Sequence, residues 1–104
     1  KVNYFLELSH AKEKTIVIWG ASHKGKRVAQ MLIEKNVPFE WVCDNPKKIG
    51  KDIYNQILKP FEFLKSIKTY QSIVTVANPD AQLEIERYFE THNKVAMKDY
   101  FFFC

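Results

Sequence analysis

The sequence predicts an α/β domain, a doubly wound parallel sheet of about five strands in the order 3-2-1-4-5 with helices on both faces. Three observations predict it. Short β-branched and aromatic runs alternate with stretches of helical period, the pattern of a parallel sheet with right-handed crossovers. The first such run, Thr15-Ile16-Val17-Ile18-Trp19, is apolar at successive rather than alternate positions, as a strand covered on both faces must be. Between that strand and the first long helix lie Gly20 and Gly25, where folds of this kind aim a helix amino end at a ligand.

The elements follow in order. Tyr4, Phe5, Leu6 and Leu8 suggest a short opening helix within Val2 to Lys12. After the first strand, Gly25, Val28, Ala29, Leu32 and Ile33 recur at three- and four-residue spacing, one apolar stripe on a helix from Lys24 to Asn36. Val37-Pro38 ends that helix, because proline pushes its predecessor out of helical geometry. Phe39 to Cys43 reads as the second strand and Asp44 to Gly50 as a basic, turn-rich loop. Ile53, Tyr54 and Ile57 offer one short strand, and Pro60 suits the first turn of a helix through Ile67. Ser72 to Ala77 is another buried strand. Asn78-Pro79-Asp80 starts a helix with Ala81, Ile85, Tyr88, Phe89 and His92 on one face, and Tyr100 to Phe103 closes the sheet.

Length and composition bound the answer. The 104 residues fit one domain, 1–104, and 46% hydrophobic residues supply a packed core. Lys1 stands where an initiator methionine would, which is expected of a domain excised from a longer chain. No apolar run approaches the ~18–20 residues of a membrane span. Neither a membrane nor a secretory route is expected, and the cytoplasm is the expected compartment. Cys43 and Cys104 lack metal or redox spacing and read as free thiols, and His10, His23 and His92 are too scattered for a zinc site. The net charge of +4 is spread over every segment, so nucleic acid is not the expected partner.

The segment Gly20-Ala21-Ser22-His23-Lys24-Gly25 carries the chemistry. In the dinucleotide fingerprint G-x-G-x-x-G each glycine has a task. Gly20 serves the tight turn off the strand and Gly25 the close packing of the helix. The middle position is Ser22, whose side chain crowds a dinucleotide but whose hydroxyl can bond a phosphate. Free N–H groups and the helix dipole make the turn an anion site, with Lys24, Lys26 and Arg27 adding positive charge. Asp44, about twenty residues on, stands where a carboxylate accepts ribose hydroxyls; it equally starts a loop. Lys47, Lys48 and Lys51 can reach towards a phosphate or simply face solvent. Asn78 either bonds a ligand from the far side of the crevice or only caps its helix. His23 is placed for proton transfer but has no partner acid, so no catalytic residue is assigned.

These residues resemble a group of bacterial Rossmann-like domains attached to surface-carbohydrate enzymes. The likeness rests on Trp19-Gly20-Ala21 through Gly25-Lys26-Arg27, Asp44 to Gly50, Pro60 to Leu64, Val76 to Pro79 and Asp99 to Phe103. It spans about residues 14–104. Such domains look like C-terminal appendages of sugar-related methyltransferases and family-2 glycosyltransferases. The turn is also similar to that of the N-terminal, nucleotide-sugar-binding domain of sugar O-acyltransferases. That likeness implies phosphate contacts at Gly20, Ala21, Ser22 and Gly25, although His23 stands one place earlier than the usual histidine.

The expected function is therefore an accessory nucleotide or nucleotide-sugar domain of a bacterial transferase. A UDP-sugar is the first candidate ligand, ahead of NAD or S-adenosylmethionine. Other domains of the parent chain are expected partners, and a homodimer is compatible. The alternatives are a ligand-free docking module and one half of an NAD-dependent oxidoreductase, which would need a substrate wall from elsewhere.

Overall fold

The computed structural model describes residues 1–103; Cys104, expected as a free thiol, lies outside them. The chain runs α1 (Val2–Tyr4), a π-helical turn (Phe5–Ser9), β1 (Thr15–Trp19), α2 (His23–Glu34) and β2 (Phe39–Cys43). Then come β3 (Asp52–Ile53), β4 (Gln56–Ile57), β5 (Lys59–Pro60), a 3₁₀ segment (Phe61–Ser66), β6 (Tyr70–Val74), α3 (Pro79–Thr91) and β7 (Tyr100–Phe102). Five strands form one sheet in the order β5-β2-β1-β6-β7, with every pairing parallel. Counting only the strands of this sheet, the order is the doubly wound 3-2-1-4-5 that the sequence predicts.

Alternation along the central strands sorts side chains onto two faces. Ile16 and Ile18 of β1 join Phe39, Trp41 and Cys43 of β2 beneath α1 and α2, with Phe5, Val28, Ala29 and Leu32. Val17 and Trp19 join Val42, Val74 and Tyr100 on the other face, beneath Leu64, Ile85 and Phe89. Trp19 stacks on Phe61 (centroids 5.4 Å apart) and meets the edges of Tyr88 and Phe89. Among the described residues its buried Nε1 has no hydrogen-bond partner, and stacking and burial hold the ring there.

Several local expectations need correction. The strand beside β2 is Lys59–Pro60, not Ile53–Ile57. Residues 52–57 instead form a separate two-stranded antiparallel hairpin, because Tyr54 and Asn55 take left-handed conformations (φ 55° and 63°) that reverse the chain. Pro60 belongs to that edge strand, and the helix expected after it is a 3₁₀ segment. The fourth sheet strand begins two residues earlier than the apolar pattern suggests and ends at Val74. Buried Gln71 is accommodated there because its side chain accepts from Ala11 N–H and donates to the carbonyls of Ser9 and Lys98. The opening helix stops at Ser9, and His92 is exposed past the end of α3, its Nδ1 2.7 Å from Tyr88 O. Of the aromatic tail, Tyr100, Phe101 and Phe103 are buried. Among the described residues no helix is long and apolar enough to cross a membrane.

Candidate functional site

The carboxyl ends of β1, β2 and β6 meet at Gly20. Its N–H donates to Val42 O (2.9 Å), and its carbonyl accepts from the buried indole of Trp41 (2.7 Å). On the other side Thr75 donates to Trp19 O from both its N–H (2.9 Å) and its hydroxyl (3.1 Å). Gly20 has φ +123°, and a Cβ there would strike Thr75 Oγ1. A Cβ on Gly25 would strike the Gly20 carbonyl oxygen. The two glycines thus serve one contact: the first turn of α2 lies directly on the peptide that leaves β1.

That contact fixes where the amino end of α2 points. Ser22 is the N-cap residue, yet its hydroxyl makes no capping bond. With no acidic residue in the first turn either, the N–H groups there keep their partial positive charge unanswered by a side chain. Ser22, His23, Lys24 and Arg27 are exposed, whereas Ala21 and Gly25 are buried.

The β2–β3 loop folds back over this turn. Asn45 organises it, taking Lys47 N–H on its side chain (3.0 Å) and the N–H groups of Lys48 and Ile49 on its carbonyl (2.9 and 3.1 Å). Ile49 packs against the core, and Lys48 Nζ donates to Ala21 O at 2.9 Å. Lys48 is therefore brought to the glycine turn, while Lys47 and Lys51 stay exposed. Asp44, directly after β2, is exposed at the same end of the sheet. Asn78 shares that end, but its side-chain oxygen accepts from Ala81 N–H (3.1 Å), so it caps α3.

Two concavities lie at opposite ends of the sheet. One of about 360 Å³, lined by His23, Lys24, Arg27, Val28 and Phe103 among others, lies against the first turn of α2. A larger one, about 630 Å³, is lined by His10, Lys14, Thr15, Val37, Phe39 and Glu40 at the opposite end of the sheet. Ligands of open parallel sheets bind outside the carboxyl ends of the strands, so the chemistry at Gly20 outweighs the larger volume. Among the described residues no group of three or more His, Cys, Asp or Glu is disposed to hold a metal ion.

The chain matches no protein-family model and no curated protein. Its shape does match solved structures. One is the crystal structure of RSP, a Rex-family repressor, at TM-score 0.66 and 19% identity. A second is RSP in complex with beta-NADH, at TM-score 0.65 and 18% identity. The fold is Rossmann-like. Each match covers 88% of this chain and 46% of the other, so the chain spans about half the length of the structures it resembles. At such identity the likeness establishes the fold alone.

Proposed function

We propose that this chain is a nucleotide-binding Rossmann-like module whose Gly20–Gly25 turn receives the diphosphate of an adenine dinucleotide, NAD(H) in the first place. The observation that carries the reading is the seating of α2 on the Gly20 peptide. It presents uncapped N–H groups, with Ser22 Oγ free beside them, outside the carboxyl end of β1. Asp44, exposed at the end of β2, supplies the acceptor for ribose hydroxyls. The shape shared with a protein solved with NADH supports NAD(H) over the UDP-sugar that the motif resemblance favours. Among the described residues no proton-transfer pair accompanies the turn, and the role proposed for it is binding.

Thermal shift and calorimetry on the 104-residue chain test this with NADH, NAD, NADP, UDP-sugars, S-adenosylmethionine and phosphate. A ligand at one hundred times its Kd adds about 2.7 kcal/mol, a melting shift on the order of 10 °C at this size. Asp44→Ala should weaken NADH without lowering the melting point of the free chain. A shift with a UDP-sugar alone would transfer the site to the surface-carbohydrate reading. No shift with any of them would leave a docking module with an unused crevice.

A further inference from the structure

We infer that Lys48 is the cation that pairs with the ligand's phosphate, an inference that rests on the nucleotide-binding reading above. Lysines crowd this end of the molecule, but their surroundings differ. Among the described residues Lys24, Lys26 and Arg27 extend from α2 with no side-chain hydrogen bond or ion pair. Lys48 alone is tied to the turn itself, its ammonium 2.9 Å from Ala21 O, one residue after Gly20 and one before Ser22. It takes no part in the ion pairs found among the described residues, Lys14–Asp99 and Lys59–Glu40.

An ammonium has three donors, and the Ala21 carbonyl uses one. The side chain is half-buried, and Asn45 and Ile49 fix its backbone, so much of the cost of ordering a long lysine is already met in the free protein. A full charge is thereby held beside N–H groups that carry only partial charge. Such an arrangement selects a phosphate over a neutral ligand, and a charge-assisted bond to phosphate is short and strong. The ligand class is a nucleoside diphosphate or a dinucleotide built on one, held at its phosphates by Lys48 and the turn together.

The test compares the wild-type chain with K48M, K48Q and K48R, titrated with NADH, ADP and adenosine, and follows the melting point of each free protein. K48M and K48Q should bind NADH and ADP roughly 10- to 100-fold more weakly. Adenosine affinity and the free melting point should hardly move, and K48R should recover part of the loss. Equal loss of ADP and adenosine binding, together with a fall in melting point, would make Lys48 a mere tether of the loop and overturn the inference. Wild-type NADH binding left unchanged in K48M and K48Q would overturn it alone. A wild type that ignores NADH and ADP alike would overturn the nucleotide reading and the role of Lys48 with it.

Discussion

Replacing Gly25 by alanine opposes two effects of different sign. In a helix interior alanine is favoured over glycine by about 1 kcal/mol, so local propensity alone predicts a gain. The structure predicts a loss, because the new Cβ meets the Gly20 carbonyl oxygen, with Thr75 Oγ1 3.0 Å away. Backbone cannot rotate aside as a side-chain tip can, so α2 must lift or the Gly20 peptide must tilt. Overpacking of this kind costs ~1–3 kcal/mol. A tilt also weakens the 2.7 Å bond from Trp41 Nε1 to Gly20 O, and stranding a buried indole N–H costs a further ~1–3 kcal/mol. The net expectation is a loss of about 3 kcal/mol, or a melting point lower by roughly 15 °C for a domain of this size. Urea and thermal unfolding followed by circular dichroism measure it, with Lys26→Ala in the same helix as a control expected within ~0.5 kcal/mol. A G25A chain as stable as the wild type, or more so, would refute the close approach of α2 to β1 on which the site depends.

Two further outcomes follow from the geometry. Asn78→Ala should cost about 1 kcal/mol by removing the cap on Ala81 N–H, with ligand affinity unchanged; a selective loss of NADH affinity in calorimetry would instead make Asn78 a ligand contact. Burial first, and then the charges of Tyr88 and Asp99, raise the Tyr70 hydroxyl well above the usual tyrosine range, while burial leads the upward shifts of Tyr88 and Tyr100. The unfolded chain then releases these protons near pH 10 while the folded chain still holds them, so stability is full below about pH 10 and declines above it. Denaturant titrations at pH 8 to 11 should show that decline, and Tyr70→Phe should make it shallower; a decline of equal steepness in Y70F would exclude Tyr70 as a source.

The legible parts of this molecule are those where local signals agree. The change from the β-branched run Thr15–Trp19 to helical spacing after Gly20 marks β1, the turn and α2, which begins one residue before the expected start. Asp44 likewise directly follows β2, and Asn78 stands where an Asn before Pro79 starts a helix. What escaped was decided by distant partners. Lys59–Pro60 is too short to show any period and is a strand only because Val42 and Cys43 pair with it. Phe61 and Leu64 are three apart, a spacing that α and 3₁₀ helices share. Gln71 lies in the strand that the apolar pattern starts only at Ser72, because the backbone groups that satisfy it lie 27 or more residues away. Lys48 resembles its neighbours in sequence, and only the fold of the loop brings it to Ala21, 27 positions earlier.

The two margins of the sheet bear on how the domain meets other polypeptides. At one margin β5 has two residues, and its last, Pro60, has no N–H to offer an incoming strand. At the other, β7 has three residues, and the Tyr100 carbonyl already accepts from Met97 N–H at 2.9 Å. Both margins are therefore short and partly blocked against an incoming strand, one of the ways in which sheet edges avoid pairing with another chain. Contact with another polypeptide is then expected through helices and loops, and substitutions on those surfaces, rather than on the strands, are expected to disturb it.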